Sequence, residues 1–148
     1  MPRPVSAPRN VGFTLLEILV VLVIIGLIAS LVGPRLFTQL EGSQVRVAET
    51  QIRMLRGAVE TFRLDMGRLP TPEEGLAVLT TRPDEPRAAE RWRGPYLDET
   101  APLDPWDQPY RYAVPGRDGQ PFALYSLGAD QAPGGEGNNA DIGILPPT

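Results

Sequence analysis

Residues Asn10 to Pro34 read NVGFTLLEILVVLVIIGLIASLVGP, and this stretch limits the fold more than any other. From Phe13 to Val32 the chain is apolar apart from Thr14, Glu17, Gly26 and Ser30. Roughly twenty apolar residues in a helix cover the ~30 Å of a bilayer's hydrocarbon. Arg3 and Arg9 precede the run, which favours an N-terminus in the cytoplasm and the remainder outside. A secretory signal peptide is the competing reading, with Ala29-Ser30-Leu31 as a weak cleavage site. Such a signal does not place a carboxylate in its apolar stretch, and Glu17 is one. At the centre of a bilayer an acid costs roughly 2.5–3.5 kcal/mol, less near the end of a span. Glu17 therefore asks for a partner.

The order Gly12-Phe13-Thr14-Leu15-Leu16-Glu17 ahead of the run resembles the processing site of type IV pilins and pseudopilins. The resemblance implies that a prepilin peptidase cuts after Gly12 and that the new N-terminal residue, Phe13, is methylated. It also implies a physical role for the acid. Cleavage frees a positive amine at Phe13, and in a bundle of such helices Glu17 of one subunit can pair with the amine of its neighbour. A paired charge in a dry bundle is tolerable where an unpaired one is not, so Glu17 would set the register of assembly. Pro34 follows Gly33 at a place where the family carries a proline. It removes an intrahelical donor and predicts a bend.

Beyond Pro34 the helical pattern resumes. Val45, Ala48, Ile52, Leu55, Val59, Phe62 and Met66 recur at alternating spacings of three and four, an apolar stripe at helical period. Charged residues fill the other faces, and Glu49 to Arg53 is a favourable i,i+4 pair. Gly67 and Pro70 supply the stop. A helix from Phe13 to Met66 would be roughly 80 Å long. The stripe predicts a face that receives a small C-terminal domain. That domain reads as short segments punctuated by turns, in a chain of 148 residues with 17 prolines and 15 glycines. Thr71 with Glu74 predicts a capping box opening a helix over Thr71–Leu79. Arg82–Arg93 is polar and reads as a loop. Tyr110–Val114 and Phe122–Leu127 read as strands around a turn at Pro115–Gly119, in a sheet of two or three antiparallel strands.

Four further stretches, LPTPEEGLAVL, GPYLDE, LDPWDQPYRY and YSLGADQAPGGEGNNADIG, extend the resemblance to the major pseudopilin (protein G) family of type II secretion systems, over most of Gly12 to Gly143. The family implies an α+β, type IV pilin-like fold: a long N-terminal helix, transmembrane in its first half and amphipathic in its second, packed on a small antiparallel sheet with a C-terminal metal-binding loop. The expected organisation is a leader at 1–12, a transmembrane and assembly helix at 13–34, and a periplasmic domain at 35–148. Within that domain the amphipathic helix would end near 66, a loop and short helix would fill 67–100, and strands and loop would fill 101–148. Asp107 departs from the family, which has glycine after Asp-Pro-Trp. Aspartate tolerates a left-handed turn, so the turn is expected to survive. The tail GILPPT stands where family members tend to continue.

Asp130, Glu136, Asn138, Asn139 and Asp141 supply oxygens among Gly128, Gly134, Gly135 and Gly137. From spacing alone a solvated Gly/Asn turn explains them, and the pattern is not an EF-hand. The resemblance implies a calcium site there. It would use Asp130 and Asp141, then the Leu127 carbonyl and Asn138, with Glu136 and Asn139 as further donors. Calcium takes six to eight oxygens in irregular geometry. A bound ion would also staple a domain that has no cysteine.

With neither cysteine nor histidine, thiolate and imidazole metal sites and disulfides are excluded. A net charge of −4 gives no basic footprint for nucleic acid. Three functions then compete. The first is a structural subunit of the secretion pseudopilus, a periplasmic filament that drives export of folded proteins across the outer membrane. The second is a type IV pilin or competence pseudopilin of a surface filament; the DPW and GADQAPGGEG motifs and the missing cysteine pair argue against it. The third is a membrane-anchored carboxylate enzyme using Asp104 and Asp107, weakened by the absence of any nucleophile–base pair. The first implies that the chain is not an enzyme. It implies as partners other copies of itself, minor pseudopilins, the inner-membrane assembly platform with its ATPase, the prepilin peptidase and the outer-membrane secretin machinery.

Overall fold

The computed structural model describes residues 13–147, with backbone alone at 33–41. The leader, including Gly12, lies outside the described residues, as does the side chain of Pro34. The chain divides into two units, Met1–Thr38 and Gln39–Thr148. One helix, α1 (Leu15–Met66), contributes to both, and its assignment continues through Gly33 and Pro34.

In the first unit, helix α1 opens after Thr14, whose Oγ1 accepts the backbone N–H of Glu17 at 3.2 Å. That satisfies one of the donors a helix N-terminus leaves free. Leu15–Val32 is long and apolar enough to cross a membrane, and none of its residues is buried within the protein. Apolar side chains exposed on every face of a helix need a lipid or protein environment to cover them.

The second unit is built on the stripe. Ala48, Ile52, Leu55, Val59, Phe62 and Met66 are buried and Val45 is partly so. They share one core with Val78, Leu79, Phe122, Leu124 and Ile142. Phe62 is wholly enclosed and meets Tyr96 edge-on at 5.6 Å between ring centres. Burial of a side chain of that size stabilises by roughly 1.5–3 kcal/mol. Helix α1 stops at Gly67, whose N–H donates to the Arg63 carbonyl at 2.8 Å. The Glu49–Arg53 pair exists at 4.0 Å with both partners exposed, so it contributes little.

The capping box at Thr71 forms without the helix it predicted. Glu74 N–H donates to Thr71 Oγ1 (3.2 Å) and Thr71 N–H to Glu74 Oε2 (2.9 Å). Gly75 then turns left-handed, and only a 3-10 turn, Ala77–Leu79, follows. Glu74 also pairs with the end of α1, because both its oxygens accept from Arg68, at 2.6 and 2.7 Å. Hydrogen bonding from Arg68 holds the Glu74 carboxyl below its ordinary range. The stretch read as a loop contains a helix, α2 (Pro86–Arg91). Its proline occupies the first turn, where no N–H is needed, and Glu85 caps it by accepting from Arg87 and Ala88 N–H.

Three strands form an antiparallel meander: β1 (Arg111–Ala113), β2 (Ala123–Ser126) and β3 (Ile142–Ile144), in the order 1-2-3. Tyr112 lies opposite Leu124, and Leu124 opposite Ile144. β1 and β2 trim the predicted segments at both ends, and β3 follows the last loop. The hydroxyl of Tyr112 donates to the Pro70 carbonyl at 2.9 Å, tying β1 to the end of α1.

Candidate functional site

Strand β2 ends at Ser126 and β3 begins at Ile142, so residues 127–141 form one loop between adjacent strands. Its two ends close at Gly128. There φ is +68°, and a Cβ would lie 2.8 Å from the Asn138 carbonyl oxygen and 2.9 Å from that of Ala140. Only glycine fits this approach. The next residue, Ala129, donates its N–H to the Asn138 carbonyl at 2.9 Å.

Two side chains in this loop share an unusual state. Asn138 donates through Nδ2 to Gln44 Oε1 on α1 (3.3 Å), while its Oδ1 is buried without a partner. Asp141 accepts the Gly134 N–H on Oδ2 (2.9 Å), while its Oδ1 is buried without a partner. Each side chain is thus anchored by one atom and carries one orphaned oxygen. Leaving a buried acceptor unsatisfied costs about 1–3 kcal/mol, more for a charged group. The other sequence-derived candidates are placed differently. Asp130 is exposed and spends Oδ1 on the N–H of Ala132 at 3.1 Å, and Glu136 and Asn139 are exposed. Among the described residues no three Asp, Glu, His or Cys side chains converge. The oxygens on offer are carboxylate, amide and backbone, the mixture a hard cation such as calcium accepts. The orphaned pair fits such an ion.

Beside this loop stands Asp104, buried at 4 % exposure. Its Oδ1 accepts the N–H groups of Trp106 (3.0 Å) and Gln108 (2.9 Å), and its Oδ2 accepts the Ser126 hydroxyl at 2.5 Å. Ser126 Oγ in turn accepts the N–H of Gly128 at 3.1 Å. Asp107 takes φ +62°, the left-handed turn expected at this position. Both oxygens of Asp104 are committed to holding backbone and Ser126, and Asp107 is exposed, so the two do not form an acid–base pair. Tyr110 secures the same turn to α1, donating to Gln51 Oε1 at 2.5 Å. Burial, with the nearby Asp104 charge second, pushes its hydroxyl well above the ordinary phenol range. The sequence raises Asp104 only as an acid of a candidate enzyme and points to neither Ser126 nor Gln44. Neither carries a local signal, because Ser126 reaches Asp104 across 22 residues and Gln44 reaches Asn138 across 94.

At the other end of the chain, Phe13 is 77 % exposed and Glu17 lies in the first turn of α1, also exposed. An acid there favours the positive end of a helix dipole, and it leaves the carboxylate free for an external partner.

An apolar, externally exposed helix with an acid in its first turn, and a small α+β unit whose last two strands are joined by a glycine-rich loop, define the pilin-like class. Residues 10–33 match the prokaryotic N-terminal methylation motif. Residues 35–145 match the family "Type II secretion system (T2SS), protein G". The chain is 41% identical over 132 residues to the type II secretion system core protein G of Pseudomonas aeruginosa, covering 89% of this chain and 92% of that protein. It is 41% identical over 135 residues to that of Vibrio cholerae, covering 91% of each. A crystal structure of the major pseudopilin from the type 2 secretion system of enterohaemorrhagic Escherichia coli superposes with a TM-score of 0.60 at 28% identity, over 74% of this chain and 93% of that one. The chain belongs to the protein G family of type II secretion systems and is a major pseudopilin.

Proposed function

We propose that this chain is a non-enzymic building block that polymerises into the shaft of a periplasmic pseudopilus and needs calcium to complete its outer domain. The prepilin peptidase cuts after Gly12 on the cytoplasmic face of the inner membrane, and Phe13 becomes the methylated N-terminus. The apolar helix stays in the membrane, with the domain from residue 35 in the periplasm. The assembly platform and its ATPase then extract subunits into a homopolymer. Glu17 pairs with the amine of the neighbouring Phe13, minor pseudopilins complete the filament, and the secretin passes the exported proteins. What supports the membrane and assembly reading is Leu15–Val32, apolar and exposed throughout, with its single acid beside the cleavage point.

The observation that carries the metal reading is the pair of orphaned buried oxygens on Asn138 and Asp141. Together with the Leu127 carbonyl and Asp130 they would hold calcium, and Glu136 and Asn139 stand nearer solvent as outer donors. The ion would neutralise the Asp141 carboxylate and join the two ends of the loop. A ligand that binds only the folded state stabilises it by RT ln(1 + [L]/Kd), about 2.7 kcal/mol at a hundredfold excess. Extracellular calcium modules bind at about 10⁻⁴–10⁻³ M. The test is a melting series of the full chain in detergent micelles with calcium, magnesium or chelator, on wild type, Asp130→Ala and Asp141→Ala. Calcium should raise the wild-type midpoint by several degrees, magnesium should do little, and both variants should lose the response. Equal midpoints for the wild type in calcium and chelator would leave the loop an ordinary glycine-rich turn.

A further inference from the structure

We propose that Ser126, oriented by Asp104, is a positioning residue that aims the Leu127 carbonyl into the loop as a cation ligand. The inference rests on the calcium reading above and assigns a role to two buried groups that this reading does not use. Its geometry is that of one peptide unit. The C=O of Leu127 and the N–H of Gly128 belong to the same planar group, which is trans, so they point in opposite directions. Whatever fixes the N–H fixes the carbonyl. The N–H is fixed by Ser126 Oγ at 3.1 Å. Among the hydrogen bonds of the described residues, the Leu127 carbonyl accepts none.

Asp104 sets the polarity of this arrangement. The Ser126 hydroxyl donates its proton to Asp104 Oδ2, which leaves the lone pairs of Oγ to accept the N–H of Gly128. Asp104 is itself immobile, because Oδ1 is clamped by Trp106 and Gln108 N–H and its own N–H donates to the Gln108 carbonyl at 2.7 Å. On the other side, the backbone at 138–140 presses within 3 Å of the Cβ position of Gly128, so the peptide cannot rotate freely. Ser126 is 1 % exposed, so water does not compete for its hydroxyl. The chain of contacts therefore runs from a buried carboxylate through one hydroxyl to a peptide plane, and the plane's other end, the Leu127 carbonyl, points away from Ser126 Oγ. Partners that orient a ligand without touching the metal typically change affinity by about 10–100-fold.

The test is calcium binding by calorimetry on the full chain in detergent micelles, paired with melting in chelator. Ser126→Ala removes the hydroxyl and should weaken calcium by about 10–100-fold. Ser126→Thr keeps the hydroxyl and should bind close to wild type. Asp104→Asn keeps an acceptor for Trp106 and Gln108 but gives the Ser126 proton no acceptor, and should weaken calcium in the same direction. It carries the test if Ser126→Ala fails to fold. Val59→Ala, a cavity in the helical stripe, should lower the melting point in chelator and leave the calcium constant unchanged. The proposal is overturned if Ser126→Ala or a folded Asp104→Asn binds calcium like wild type, or if Val59→Ala weakens binding as much as they do. A wild-type chain that binds no calcium overturns the calcium reading itself and this proposal with it, an outcome visible before any variant is made.

Discussion

Replacing Gly128 by alanine tests whether the loop is closed by backbone contact, and Gly119 supplies the matched control. Both residues are left-handed, φ +68° and +76°. A Cβ at Gly119 meets nothing within 4 Å, whereas one at Gly128 lies within 3 Å of three backbone atoms of residues 138–140. The dihedral penalty is common to both, on the order of 1 kcal/mol. At Gly128 the clash adds a second cost. Backbone cannot swing aside as a side-chain tip does, so relief must stretch the 2.9 Å bond from Ala129 N–H to the Asn138 carbonyl. Losing that bond costs about 0.5–1.5 kcal/mol and the overpacking about 1–3 kcal/mol. Gly128→Ala should therefore cost about 2.5–5.5 kcal/mol in all, and Gly119→Ala about 1 kcal/mol. For a domain of this size that is on the order of 15 °C against about 5 °C in melting midpoint. The only two tryptophans, Trp92 and Trp106, lie in the second unit, so their fluorescence follows its unfolding. The chelator-treated full chain in micelles is the right sample, since it separates the clash from any lost ion. Equal midpoints for the two variants would refute the claim that the loop ends meet at Gly128.

Gly12→Val should block cleavage, because a branched side chain obstructs the peptidase at the scissile bond; a mass spectrum beginning at methylated Phe13 in that variant would sink the processing reading. Glu17→Ala should be processed and inserted, since a costly polar group leaves the membrane, yet should assemble poorly or out of register. Filaments of wild-type rate and order, seen by electron microscopy, would leave Glu17 without an assembly role. Glu74→Gln should cost about 1 kcal/mol at pH 7, a bidentate charged pair discounted because Arg68 is more than a third exposed. Arg68 holds the folded-state Glu74 carboxyl below the ordinary value of 4.5. The stabilisation is therefore present above that value and lost as pH falls through the depressed one. Urea midpoints from pH 7 down to pH 3 should fall less steeply for Glu74→Gln than for wild type, and identical slopes would deny the pair any part in acid stability.

What can be read from the sequence, and what cannot, divides by the range of the interaction. The stripe from Val45 to Met66 is legible because a helix repeats its buried face every three or four residues, and each of those positions is buried or partly buried. The capping box at Thr71 is legible too, but it does not decide the helix. Gly75 in a left-handed turn ends it, while Glu74 is drawn away to Arg68. Helix α2 escapes notice because its proline and charges look like loop when the cap at Glu85 is overlooked. Strand β3 escapes because Ile142-Gly143-Ile144 is three residues with a positive-φ glycine at its centre, too short for a period of two to register. The loop poses a harder problem. Asp, Asn and Gly are the residues of turns and also the residues of calcium sites, for the same reasons: short oxygen-bearing side chains and a backbone free to bend. No spacing rule separates the two uses. What separates them is which atom of each side chain is already satisfied. Asp130, which is exposed, spends Oδ1 on the N–H of Ala132 as a turn residue does, and only its second oxygen is left for an external partner. Asn138 and Asp141 each spend one atom on Gln44 or Gly134 and keep the other buried and unspent. An oxygen desolvated by folding and left without a partner destabilises the domain unless something outside the chain satisfies it. If a cation completes this loop, the information that marks its site lies in the unmatched halves of two side chains, and only three-dimensional pairing reveals which halves those are.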